Sequence, residues 1–221
     1  MTDTTIPNAT PSPAADVGAN ASNDSGPADL DPRPALFRSL DTAHSVVSQL
    51  TGPAADRPTP CPEWTASDMA GHLVAVADRI VGLVGGADLD AMALVRDGIA
   101  PEWESALTSS IQQVRAAWAP DEVLTQMMTT PWASLPGAVA ASIYSAELLV
   151  HTWDLAASIG VGPEWNEADV ADAVTTLRFG LPADGRGDDD MPFDPVVPTA
   201  DDAPHIHQLV AWVGRQPTWT A

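Results

Sequence analysis

The stretch "SAELLVHTWDLAASIG", residues 145–160, decides how the chain folds. It belongs to a run, 138–159, built mostly of Ala, Val, Leu and Ile, yet Glu147, His151 and Asp154 stand in its middle. At about 100° per residue these three fall within roughly 60° of one another on one helical face. Tyr144 and Ser158 extend the same polar line. A helix that is apolar on nearly every side is buried on nearly every side. An uncompensated carboxylate in such a place costs several kcal/mol. The fold must therefore surround this helix and also satisfy its polar line.

Working outward, the pattern predicts further helices. Leu36, Leu40, Ala43, Val47 and Leu50 form one apolar stripe. The proline-rich "TGPAADRPTPCPEW" (51–64) is a loop, after which Thr65 reads as an N-cap with Asp68 in the capping-box position. The helix it opens turns Met69, Leu73, Val76, Ile80 and Leu83 inward and stops at Gly85-Gly86. Trp103, Leu107, Ile111, Val114 and Trp118 mark a third helix, and "VLTQMMTTPWASLP" (123–136) a short hairpin. The apolar helix is entered through Pro136 and closed by Gly160, with Pro163 beyond. A fifth helix runs from Asn166 to near Gly180, and a last short one covers about 204–214. The fold class is all-α: a four-helix bundle with a short irregular or β insertion and a small C-terminal helical extension. Three segments follow: an acidic disordered tail at 1–32, the bundle at 33–182, and a loop plus short helix at 183–221.

Composition narrows the function. The chain has 221 residues with 9 basic against 30 acidic ones, a formal net charge of −21, and its basic residues are all arginine. Such a field repels nucleic acid and anionic membranes, so neither is an expected partner. Cys61 is the single cysteine, which excludes a disulfide framework and a cysteine-based zinc cluster. The first residues, "MTDTTIPNAT", have neither a basic start nor an apolar run, and the polar centre of 138–159 argues against a membrane span. The expectation is a soluble cytoplasmic protein, monomer or homodimer.

Glu147 and His151 form E-x3-H, which projects both heads from adjacent turns of one helix. Helix bundles build metal sites from inward side chains on facing helices. His72, on the buried stripe of the second helix, is the natural third ligand. Two neutral imidazoles and one carboxylate leave positions open, as in catalytic zinc-type sites. Asp68, one turn before His72, and Asp154, one turn after His151, are placed to accept the other imidazole N–H groups. The bland alternative is that Glu147 pairs with His151 or with Arg79. Asp154 in turn could be a fourth ligand or a partner of Arg79. E-x3-H is not the H-E-x-x-H of zinc proteases, so no peptidase follows.

"TPCPEWTASDMAGHL" (59–73) taken with "AELLVHTWDLAASIG" (146–160) resembles the mycothiol-dependent maleylpyruvate isomerase family and its uncharacterised actinobacterial relatives, which are DinB-like metal-binding bundles. "VVPTADDAPHIHQLVAWVGRQPTW" (196–219) is similar to the C-terminal segment of one subgroup. The resemblance implies a divalent ion, generally zinc, held by one His of the second helix and a Glu and His of the fourth. Those roles fall on His72, Glu147 and His151. It also implies mycothiol as a thiol cosubstrate and a small electrophile as its partner, in a transferase or isomerase reaction. The chain is short for the larger C-terminal domain of the isomerases proper, and Ala133 stands where relatives commonly have Gly, so maleylpyruvate itself does not follow. The competing class is a non-catalytic metal-containing binding or stress-response protein.

Other residues have plainer expectations. Trp64 and Trp153 wall the pocket or plug the bundle, with Tyr144 beside them. Cys61 is either a thiol that reaches the site or a packed side chain. His44, His205 and His207 face solvent. "DGRGDDD" (184–190) lacks the spacing and the closing Glu of a calcium loop.

Overall fold

The computed structural model describes residues 31–186 and 193–221. The acidic tail expected at 1–32 lies outside the described residues except for its last two positions, and so does most of the 184–190 loop. The helices are α1 (Arg33–Val47), α2 (Ala66–Val84), α3 (Trp103–Ala117), α4 (Gly137–Ile159), α5 (Glu167–Gly180) and α6 (His205–Trp212). One antiparallel hairpin precedes α4: β1 (Met127–Thr129) pairs with β2 (Ser134–Pro136), with Met128 opposite Leu135.

Local chemistry sets these boundaries. Thr65 and Asp68 form the reciprocal capping box expected at the start of α2, a device that stabilises a helix by about 1 kcal/mol. Asn166 caps α5 through Asp169 N, and α4 ends where Gly160 takes φ +76°. No helix of the described residues is long and apolar enough to cross a membrane.

Packing explains why α4 is apolar all round. It serves two cores. Tyr144, Leu148 and Leu155 face the main core, which α1, α2 and α3 complete with Leu36, Leu73, Ile80, Leu107 and Trp118. Ala146, Leu149, Val150 and Trp153 face a second core formed with α5 and α6, around Val170, Leu209 and Val210. Each large side chain so removed from water contributes about 1.5–3 kcal/mol. In the bundle α4 sits between α1 and α2, while α3 closes the opposite side. Gln126 Nε2 donates to Val84 O at the end of α2, and Gln126 O accepts from Gly137 N at the start of α4. At the other end, Ser158 Oγ donates to Pro58 O, just before α2 begins. Thus α2 and α4 run in opposite directions, and their polar lines face each other.

Candidate metal centre

His72 projects from the middle of α2 and is 5% exposed. Its Nδ1 lies 2.7 Å from Leu94 O. A carbonyl only accepts, so Nδ1 carries the proton and Nε2 keeps a lone pair. That Nε2 is buried with no hydrogen-bond partner among the described residues. Glu147 Oε1 stands 3.8 Å from it, too far for a hydrogen bond and with no donor between them. Burial, reinforced by the neighbouring His151 ring, lowers the His72 pKa to about 3, so its imidazole is neutral at physiological pH.

The carbonyl reaches His72 because Gly71 has no side chain. Arg96 N donates to Gly71 O at 3.2 Å, and a Cβ at position 71 would lie 2.7 Å from Arg96 O. The 85–99 loop can therefore lie flat on α2 at this point.

His151 is set in the same tautomer by a different device. Its Nδ1 lies 3.0 Å from Asp154 Oδ2, one turn further along α4. The carboxylate accepts, which leaves the His151 Nε2 lone pair free to turn inward. The two imidazole rings are 4.5 Å apart, and one donor atom each from His72, Glu147 and His151 lies within 4.8 Å of the others. Glu147 keeps 28% of its side chain in contact with solvent, and burial raises its pKa against the opposing influence of His151 and Arg79. Two nitrogen lone pairs and a carboxylate converge here with no proton to share. An orphaned buried acceptor costs about 1–3 kcal/mol. A divalent cation satisfies all three groups at once, and the residues present fit one.

Asp154 is fully buried and forms the hub behind His151. Arg215, just beyond α6, places Nε 3.3 Å from Asp154 Oδ1 and Nη2 3.3 Å from Oδ2. Cys61 Sγ is 3.5 Å from Oδ2 and 2.7 Å from Arg215 Nη2. Burial would raise the Asp154 pKa, but the hydrogen bond from His151 and the Arg215 charge outweigh it and the carboxyl stays ionised. Burial and the Asp154 charge push the Cys61 thiol up to about 12, so it is a protonated, hydrogen-bonding group. Cys61, His151 and Asp154 also bring donor atoms within 4.8 Å of one another, but the guanidinium of Arg215 is the cation of that cluster.

The remaining expectations divide. Trp64 covers the centre, its ring 4.5 Å from that of His72 and 6.1 Å from that of His151. Tyr144 is 1% exposed and its Oη has no partner among the described residues; burial and Glu147 push its pKa up to about 12. Three readings are corrected. Trp153 does not wall the pocket: two positions from His151 it points roughly 200° away around the helix, into the second core. Asp68 does not hold His72: its carboxylate is spent on Thr65 N and Oγ1, and Leu94 O takes the role expected of it. Arg79 does not pair with Asp154; Arg215 does. His205 bonds Glu167 and His44 bonds Thr108, both far along the chain from the centre. Sequence reasoning missed Leu94 and Arg215. A backbone acceptor leaves no trace in residue identity. Arg215 had one faint signal, its place after Gly214 in "VGRQPTW". That glycine adopts φ +89° with Asp194 packed against it, a position where a Cβ would lie 2.4 Å from the Asp194 Cβ.

Comparison with known proteins finds relatives of the chain and of its fold. Residues 36–156 match the family model described as the mycothiol maleylpyruvate isomerase N-terminal domain. That span holds His72, Glu147, His151 and Asp154 but not Arg215. An uncharacterized protein of Mycobacterium tuberculosis, found in two strains, is 25% identical over 186 residues, covering 84% of this chain and 98% of its own. Two crystal structures of the mycothiol-dependent maleylpyruvate isomerase, one of them a histidine-to-alanine mutant, share the fold. They superpose with TM-scores of 0.53 and 0.52 at 15% identity, covering 68% of this chain and 69% of theirs.

Proposed function

The chain belongs to the mycothiol maleylpyruvate isomerase N-terminal domain family, and from that premise we propose that it is a cytoplasmic thiol-dependent transferase or isomerase. In this reading His72, Glu147 and His151 hold a divalent ion, zinc by preference, and mycothiol is the cosubstrate for a small electrophile. The single observation that carries it is the buried, unpartnered Nε2 of His72 facing Glu147 and the His151 ring. When bound, such an ion lowers the pKa of a coordinated thiol and holds the thiolate in place.

The protein's own groups do the rest. Leu94 O and Asp154 keep the protons of both imidazoles on Nδ1, so that both Nε2 atoms present lone pairs. Trp64 shields one side of the centre from water, while the exposed quarter of Glu147 marks the open side. Cys61 is unsuited to act as the nucleophile, since its thiol is protonated and tied to Asp154 and Arg215. The reaction therefore calls for a thiol from outside.

Incubation of the zinc-loaded protein with mycothiol and a panel of electrophiles tests this, with His151→Ala as control. Thiol consumption by the parent and not by the variant is expected. Stoichiometric zinc with no turnover on any electrophile would favour the non-catalytic binding protein. A native protein that neither contains metal nor gains thermal stability from added zinc would end the metal reading.

A further inference from the structure

Leu94 O reaches His72 only while the 85–99 loop keeps one position on α2, and something other than Leu94 must hold it there, because the Leu94 side chain faces solvent. The loop runs back along the helix. The carbonyls of Leu89 and Met92 meet Arg79, that of Leu94 meets His72, and Arg96 N meets Gly71 O. Arg79 lies seven residues beyond His72, close to two full turns, and so stands on the same face of α2. Its neighbour Asp78 takes the loop on the other side of Leu94, accepting from Arg96 Nη1 at 3.1 Å. Two successive residues of α2 therefore hold the loop before and after the carbonyl that orients His72.

The two holds are unequal. Asp78 and Arg96 are half-exposed, and an ion pair so placed contributes little once side-chain entropy and screening are counted. Arg79 is 7% exposed. Its Nη1 donates to Leu89 O at 2.9 Å and to Met92 O at 3.3 Å, and donation from a buried cation is among the stronger kinds of hydrogen bond. Leu89 also packs in the main core, but apolar burial is non-directional and does not fix how the peptide planes turn. One nitrogen shared by two carbonyls does fix them, and it does so two residues before Leu94. We propose that Arg79 is a positioning residue for the centre: by locking the Leu89–Met92 turn it keeps Leu94 O on the Nδ1–H of His72, and so keeps the Nε2 lone pair turned to Glu147 and His151. With the turn released, Nδ1 loses its acceptor and the proton can sit on Nε2, where an ion would have to bind. Leu94 itself can be replaced, since only its carbonyl is used; the flank depends on where the loop lies. The ion rests on the functional reading above, whereas the tautomer does not.

The test reads the tautomer of His72 by nitrogen-15 NMR of the ring in the metal-free full chain at neutral pH, and zinc affinity by competition with a chelator. In the parent the proton is expected on Nδ1. Arg79→Gln should mix the two tautomers and weaken zinc about tenfold, as loss of support behind a ligand does. Arg79→Lys keeps a cationic donor and should recover part of both. Asp78→Asn frees only the half-exposed pair, so it should leave the tautomer alone and change zinc affinity by less than about twofold. A parental tautomer in Arg79→Gln, or a mixed one with zinc held as tightly as before, overturns the proposal, and so does an equal effect of Asp78→Asn. Should Arg79→Gln fail to fold, insertion of two glycines between Ala93 and Leu94 decides, because it leaves Arg79 and its two carbonyls in place and breaks their link to Leu94. A parental tautomer in that variant overturns the proposal. A mixed tautomer in Arg79→Gln of a protein that takes up no zinc would support the positioning role and sink the metal reading alone.

Discussion

His72 and His151 face each other across the centre, and the structure holds them in different ways. His72 gives its proton to a backbone carbonyl, brought close by a loop that lies on Gly71. His151 gives its proton to a buried carboxylate, which in turn needs Arg215 and Cys61. A neutral backbone acceptor orients an imidazole without introducing charge into the core. A carboxylate raises the imidazole's basicity further, but an isolated buried charge costs several kcal/mol and must have its own counter-ion. One flank is thus robust to side-chain substitution and sensitive to loop position. On the other flank, single side chains carry the support.

The largest effects should fall on the histidines equally. His72→Ala and His151→Ala should each weaken zinc binding by more than about 100-fold, beyond what loss of an outer partner costs; competition with a chromophoric chelator measures this. Near-parental affinity in either variant would remove that histidine from the centre.

Next comes the charged flank. Arg215→Met strands Asp154 with only the His151 and Cys61 donors, and should destabilise the protein by about 3 kcal/mol in urea unfolding. An unchanged midpoint would show that water replaces the guanidinium.

Smaller effects separate the two flanks directly. Asp154→Asn should weaken zinc about 10–100-fold, while Leu94→Ala should change it by less than about threefold, because only the carbonyl of Leu94 is used and its side chain is 61% exposed. Equal losses in the two variants would erase the difference between the flanks. Gly71→Ala is the matching perturbation of the loop flank and should fall between them.

The smallest signal concerns the thiol. With its pKa pushed up to about 12, Cys61 should resist alkylation at pH 8 in the native protein and react on unfolding. A raised folded-state value means that the stability it contributes is complete below the ordinary thiol pKa of about 9 and is lost as pH rises towards about 12. Fast alkylation at pH 8 would contradict the network.

The fold was legible where periodicity or a local motif encoded it. The stripes of α1, α2 and α3, the Thr65–Asp68 box and the Gly160 stop all follow from spacing within a few residues. The three converging groups were legible too, because burial against polarity on α4 demanded an explanation and His72 sat on the facing stripe. What escaped has a common cause. Asp68 was assigned to His72 from spacing, but the same carboxylate was already committed to a cap. Trp153 was expected to wall the pocket or plug the bundle, and it packs instead in a second core that the spacing of α4 does not reveal. Leu94 acts through its main chain, and Arg215 through a contact that only the folded path of the chain creates.

The Asp154 hub also says something about the order of events in folding. Cys61 and Asp154 are 93 residues apart, Asp154 and Arg215 are 61, and Cys61 and Arg215 are 154. The capping box of α2, by contrast, joins residues three apart. Closing long loops costs more entropy than closing short ones, and contacts of large sequence separation form slowly. Pairing of the helices that carry His72 and His151 closes a stretch just as long, so the hub and the helix pairing are both long-range contacts that local capping cannot supply. Without Arg215 the carboxylate behind His151 has no counter-ion, and burying it is unfavourable. Burial of Asp154 is thus coupled to the seating of Arg215, and the imidazole on that side gains its final aim only when three remote pieces of the chain have found one another.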